Sequence, residues 1–291
     1  MAIEKEAESM RKREEKTAYF FLLPSLLGTA VFVLLPFLDV IRRSFFQAVG
    51  TTFVGFDNYQ EVLNNAAFLQ ALSHTVKFFG ICLPLLLAVS FGMAVCILQL
   101  PGVGKWLESL FLLPMALPVA SIVVFWKILF HGSGALNQLL TWFGLKGCDW
   151  MNTEAAFVVL VGTYIWKNLG YDMILWLVGL SEISGEQYEA AEVSGANRFQ
   201  IFVYITLPQM KTCAVMTGVL SFVNAFKVFR EAYLIAGDYP HSSIYMLQHL
   251  FNNWFTKLDI QKLSAAAVMI AAGISVLFVL LEWWNAKEER E

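Results

Sequence analysis

Apolar residues run in six long blocks separated by shorter polar segments: 18–41, 76–100, 106–130, 155–180, 213–236 and 264–284. A helix needs about 20 mostly apolar residues to cross the hydrocarbon core of a bilayer, and every block reaches that length. The pattern predicts an all-α membrane protein with six transmembrane helices. The chain divides into a tail at 1–17, a six-span domain over 18–284 and a second tail at 285–291. Spans and connections use up the length, which leaves no room for a separate soluble domain.

Composition agrees with the pattern. Of 291 residues, 58% are hydrophobic and 15% charged, whereas a soluble domain carries about 25% charged residues. The net charge of −3 says little about partners, and no basic stripe suits nucleic acid. The placement of charge says more. With the N-terminus inside, the cytoplasmic segments hold ten basic residues: Lys5, Arg11, Lys12, Arg13, Lys16, Lys105, Arg198, Lys211, Lys287 and Arg290. The external segments hold five: Arg42, Arg43, Lys146, Lys257 and Lys262. This bias places both termini in the cytoplasm. The long charged N-terminal stretch and the long first apolar run do not fit a cleaved signal. Cys82, Cys96 and Cys213 fall in or beside spans and Cys148 in an external loop, so neither an external intramolecular disulfide nor a CxxC metal pair is expected.

Proline and glycine punctuate the blocks. Pro101-Gly102-Val103-Gly104 makes a tight cytoplasmic turn, and Pro114 and Pro118 should kink the third span. The segment 181–209 stands apart as a long cytoplasmic loop. Ser184 and Gln187 have capping-box spacing, which starts a helix near Gly185 with Glu186 and Glu189 in its first turns. Gly195 ends it in the left-handed conformation, and Asn197 with Gln200 starts a second short helix over 198–205. Leu207-Pro208 breaks that helix and leads into the fifth span. Ala190 and Ala191 form a face without bulky side chains. The residues alone fit an unpartnered interfacial helix as well as a docking helix.

The run Glu189-Ala190-Ala191, then Gly195, then Leu207-Pro208 resembles the EAA loop of bacterial ABC importer permeases at each defining position, with Ser194 where many relatives carry Asp. Phe21-Leu22-Leu23-Pro24, Gly55-Phe56-Asp57-Asn58-Tyr59 and Gly134-Ala135-Leu136-Asn137 resemble maltose/lactose-type sugar permeases. The resemblance implies the type I importer permease fold and a place in the bacterial cytoplasmic membrane. The implied partners are a second homologous permease, a cytoplasmic ATPase dimer and an external solute-binding protein that delivers a sugar or oligosaccharide. It implies that the loop is a coupling helix, with Glu189 as a charged contact to the ATPase, Ala190 and Ala191 as the close-packed face, and Gly195 as the turn. ATP and Mg²⁺ would be bound by that ATPase, with no cofactor in this chain.

Polar groups at membrane depth are candidates for a substrate path. Trp166, Tyr171, Ser221 and Asn224 have the types that suit a sugar, an aromatic face for the ring and hydroxyls or amides for its OH groups. The resemblance places a sugar pocket near Trp166, Leu169, Gly170, Ser221, Asn224, Ala225 and Val228. Lys227 and Glu231 stand four residues apart, a spacing that suits a pair along the helix as much as a lining position. The same two readings hold for Lys167 and Asp172.

Gly102-Val103-Gly104-Lys105 is not a phosphate loop, because it lacks the first glycine and has Trp106 where Ser or Thr is required. The four histidines stand apart in sequence, and no nucleophile–base arrangement stands out, so neither a metal site nor catalysis by this chain is expected. The alternatives are an ABC permease for another small polar solute, such as a glycerophosphate, and a self-sufficient secondary transporter. The second would be expected to show inverted repeats, and none is visible.

Overall fold

The computed structural model describes residues 19–47, 52–100, 102–228, 232–233, 237 and 239–288, and these are helical nearly throughout. The tail at 1–17 and Glu231 lie outside the described residues, as does the side chain of Lys227.

The long helices follow the apolar blocks with shifted ends. They are α1 (Tyr19–Ser44), α3 (Ala66–Leu98), α4 (Gly104–Ala116), α5 (Val119–Leu129), α7 (Ala155–Ser181), α10 (Lys211–Ala225) and α12 (Ile260–Glu288). Short helices join them: α2 (Asp57–Leu63), α6 (Ala135–Trp142), α8 (Gly185–Val193), α9 (Arg198–Ile201) and α11 (Leu247–Thr256). Among the described residues, Tyr19–Ser44, Ala66–Leu98 and Ile260–Leu280 are long and apolar enough to cross a membrane individually. The pair α4 and α5 qualifies as a fourth span taken together. The polar groups in mid-α7 and the 15-residue length of α10 keep those two outside this set.

The expected kink in the third span is a full break. Helices α4 and α5 are bent by 93°. Leu117, caught before Pro118, has φ −74° and ψ 138°, the extended conformation imposed by the following proline ring. Two other prolines are absorbed without a break. Ahead of Pro36, the backbone widens into a π-helical stretch, Ala30–Leu34, where Leu35 N–H donates to the Ala30 carbonyl. Ahead of Pro208, Phe202–Thr206 does the same, with Leu207 N–H donating to Phe202. A wider turn re-registers the hydrogen bonds around a residue that cannot donate one. The expectation that Leu207-Pro208 breaks the helix is therefore corrected: the chain stays helical from Arg198 to Gln209.

The chain forms two compact units, cut at Ala66 and Asn253. In the first, α12 packs along α1 and α2. Lys262 reaches Glu61 at 2.9 Å. Asn58, in the Gly55-Phe56-Asp57-Asn58-Tyr59 run, is buried and donates to the carbonyls of Ser44 and Phe46 at 2.9 and 3.1 Å. Tyr59 shares a 2.6 Å hydrogen bond with Ser44. These bonds close the loop onto the end of α1.

In the second unit, α7 is central. One cluster packs Phe78, Leu86, Leu160, Tyr164, Val228 and Met246. Another packs Ile97, Met173, Trp176, Leu180 and Met210. Small residues bring backbones close, the usual means of packing where lipid removes the hydrophobic drive. A Cβ on Gly170 would collide with the Phe111 carbonyl of α4, and one on Gly179 would lie 2.5 Å from the Cys213 sulfur of α10. Buried polar bonds add to the packing: Trp176 Nε1 donates to Ser90 Oγ at 2.9 Å, and Leu247 N–H donates to Thr75 Oγ1 at 3.1 Å. Between α5 and α7, Asn137 is buried. It donates to the carbonyls of Gly132 and Cys148 and accepts from Cys148 N–H and Trp150 Nε1, all at 2.8–3.1 Å. It is the second asparagine, after Asn58, to tie a loop to itself from within.

Candidate functional site

Two sets of residues were expected to carry function, and both fall in the second unit. In the loop 181–209, α8 begins at Gly185 with Glu186 in its first turn. The capping box expected at Ser184 does not form, because Ser184 makes no side-chain cap bond. Gln187 instead takes the amide of Gln209 at 2.5 Å, which ties the start of α8 to the approach to α10. The box at Asn197 and Gln200 is complete, with both reciprocal bonds at 2.8–2.9 Å.

The end of α8 is built as its glycine required. Gly195 has φ +81°. Its N–H donates to Glu192 and that of Ala196 to Ala191, both at 3.0 Å, the paired bonds of a Schellman motif. Ser194 returns its hydroxyl to the Ala190 carbonyl at 2.8 Å, so the replacement of Asp by Ser leaves the helix end intact. Tyr188 holds α8 to the following segment through Thr206 Oγ1 at 3.1 Å. The outward side carries Glu189, Ala190, Gly195, Leu207 and Pro208, all exposed, while Ala191 is half-buried. Around them Val193 is 90% and Phe199 75% exposed. The loop thus presents Glu189 among small and apolar groups, with Glu186 and Glu192 exposed on the same helix.

The residues expected along the path separate into different environments. Trp166 is 38% exposed and meets Trp126 edge-on, with centroids 5.3 Å apart. Tyr171 and Asn224 are half-buried. Ser221, by contrast, is buried and donates to Asp172 Oδ2 at 2.6 Å. Ala225 and Val228 lie inside the core cluster, with Leu169 packed against it. Gly170 is buried against Phe111. Of the eight residues expected along a path, Trp166, Tyr171 and Asn224 are those with accessible surface and the chemistry to meet a ligand.

Asp172, expected either to pair with Lys167 or to line the path, binds Ser221 across two helices. The structure adds one residue that the sequence does not single out for a site. Trp126 continues the Trp166 surface and stacks on Phe130 at 5.4 Å. A regular spacing of aromatics on a helix facing another would have been the available signal. The bend at Leu117-Pro118, which sets where α5 points, hides it.

Residues 88–289 match the family of binding-protein-dependent transport system inner membrane components. The chain is 30% identical to the trehalose/maltose transport system permease protein MalF of Thermococcus litoralis, over 89% of this chain and 90% of the relative. It is 30% identical to the sulfoquinovosyl glycerol transport system permease protein SmoG of Agrobacterium fabrum, over 93% of this chain and 91% of the relative. It shares its fold with a chain of a bacterial alginate ABC transporter, solved in complex with an alginate pentasaccharide-bound periplasmic protein. The TM-score there is 0.80 at 20% identity, over 92% of this chain and 93% of the other. The chain belongs to the binding-protein-dependent transport system inner membrane component family and is an integral membrane permease subunit.

Proposed function

We propose that the chain forms half of the translocation path of an ATP-driven importer for a carbohydrate. Its six spans hold both termini in the cytoplasm, a second homologous permease completes the path, and an external binding protein delivers the sugar. The loop 181–209 docks on a cytoplasmic ATPase dimer, which binds ATP and Mg²⁺ and performs all hydrolysis, so this chain catalyses no reaction itself. Glu189 is the charged contact, Ala190 and Ala191 the face against which the partner backbone packs, and Gly195 with Leu207-Pro208 the frame. The observation that carries this reading is the exposed surface of α8, where Glu189 stands beside small residues, with Glu186 and Glu192 also exposed, on a helix whose two ends are tied down internally. A helix lying on lipid is typically rich in Lys and Arg on its polar face, whereas α8 exposes Glu186, Glu189 and Glu192 and carries no basic residue. The sugar-permease relatives support a carbohydrate over a glycerophosphate, and the family over a self-sufficient secondary transporter. Co-expression with a candidate ATPase and second permease tests it. A stable complex whose ATP hydrolysis rises with a sugar-loaded binding protein is expected. Uptake by the purified chain alone would overturn the reading.

A further inference from the structure

A cavity of about 540 Å³ opens among Lys127, Phe130, His131, Cys148, Asp149 and Asn152. It falls in the size range of small-molecule sites. It sits beside the loop that precedes α7, while loop 181–209 follows the other end of that 27-residue helix, about 40 Å away at 1.5 Å per residue.

The walls are preorganised. Asp149 accepts from the N–H groups of Met151 and Asn152 at 3.3 and 3.1 Å, and from the Asn152 amide at 3.2 and 3.1 Å. The Asn152 side chain, followed by its backbone N–H, holds the Asp149 carboxyl below the usual carboxylate range, so it stays charged. Asn137 fixes the loop backbone behind the cavity through Cys148. Lys127 has no hydrogen bond or ion pair among the described residues. A lysine snorkelling from the end of a membrane helix would account for that cation alone, but not for a concavity that also holds an ordered carboxylate and a ring. The Phe130 ring on the cavity wall stacks on Trp126 at 5.4 Å, and Trp126 meets Trp166 at 5.3 Å. Phe130, Trp126 and Trp166 therefore form a continuous aromatic strip from the cavity to the residue that exposes surface in mid-α7.

We propose that this cavity is an entry subsite for one neutral carbohydrate ring, which leaves it along the strip Phe130–Trp126–Trp166. This rests on the carbohydrate reading above. A sugar offers an apolar ring face for Phe130 and hydroxyls that can donate to Asp149 and accept from Lys127 and Asn152. A lining that holds both a cation and a carboxylate matches a neutral polyol better than an anion, which Asp149 would repel.

Cys148 on the wall makes the proposal testable in the intact importer reconstituted with its ATPase and binding protein. A membrane-impermeant thiol reagent is applied with trehalose, maltose, an arabinooligosaccharide or glycerol 3-phosphate, the binding protein being present in every arm. Cys148→Ser marks the signal that belongs to this residue. The sugar that is taken up should slow labelling of Cys148 several-fold. Lys127→Met and Asp149→Asn should each raise its half-saturating concentration about tenfold, as loss of a hydrogen bond to a charged group does. Asparagine can still accept the Met151 and Asn152 N–H bonds, so unchanged protease resistance of the loop checks that it remains folded. A sugar that is taken up but leaves labelling and half-saturation unchanged would overturn the subsite and leave the importer reading standing. Uptake of glycerol 3-phosphate with none of the sugars would overturn both.

Discussion

Ser221 Oγ donates a 2.6 Å hydrogen bond to Oδ2 of Asp172, and both side chains are buried, so one polar contact fastens α10 to α7 in the middle of the second unit. Polar side chains in membrane helices couple by about 0.6 kcal/mol on average, but an acceptor stripped of its donor loses about 1–3 kcal/mol. Ser221→Ala should therefore destabilise more than Asp172→Asn, whose amide oxygen still accepts from Ser221. Reversible unfolding in mixed detergent, run as a double-mutant cycle of Ser221→Ala with Asp172→Ala, which removes the acceptor, reads the coupling. Additive losses from those two substitutions would show that the bond contributes nothing.

Gly195 and Glu189 should separate conformation from contact. A Cβ on Gly195 meets nothing within 4 Å, so any defect of Gly195→Ala comes from φ +81°, a strain of about 1–2 kcal/mol. Glu189→Lys leaves the fold of α8 untouched and replaces one of its three exposed carboxylates with a cation. Both variants should insert normally. Gly195→Ala should weaken retention of the ATPase modestly, and Glu189→Lys should uncouple hydrolysis from uptake. Wild-type retention and coupled transport in both would remove the loop from the mechanism.

The expected path residues should divide by environment. Trp166→Ala removes an exposed ring and should lower uptake while assembly and basal ATP hydrolysis stay near normal. Gly170→Leu drives a side chain into the Phe111 backbone, and Val228→Asp puts a charge into the core. Both should reduce the yield of assembled complex, read by size-exclusion chromatography. Normal assembly of Gly170→Leu would mean that α4 and α7 do not cross as closely as described.

Asn137 is the residue on which the segment 131–154 depends. Asn137→Ala leaves Trp150 Nε1 and the Cys148 N–H and carbonyl without their partners, each costing about 1–3 kcal/mol where buried. Amide exchange across 131–154 should rise, and Asn137→Asp should recover part of the protection by accepting from Cys148 and Trp150. Exchange as slow as wild type in the alanine variant would contradict this.

The charge bias predicts the orientation, which can be read within the second unit. A cysteine placed at the exposed Lys146 should react with an impermeant reagent added outside, and one at the exposed Glu186 should not. The reverse pattern would invert the topology.

The sequence by itself determined the class of molecule, because lipid and helix geometry act on local properties. Twenty apolar residues in a row, the glycine at 195 and the asparagine at 197 specify a span, a helix end and a helix start with no help from distant chain. The motifs around Asn58 and Asn137 were visible as patterns, but their work was not, since each side chain bonds backbone that only the folded loop brings within reach. Tertiary structure decided the rest. Whether Pro118 breaks a span while Pro36 and Pro208 do not depends on whether a widened turn can form ahead of each. Spacing could place Ser221, Ala225 and Val228 at the right depth but not say which way they face. Packing turned Ser221 onto Asp172 and sank Ala225 and Val228 in the core, because a side chain's neighbours across helices are set by crossing angles that no single helix encodes.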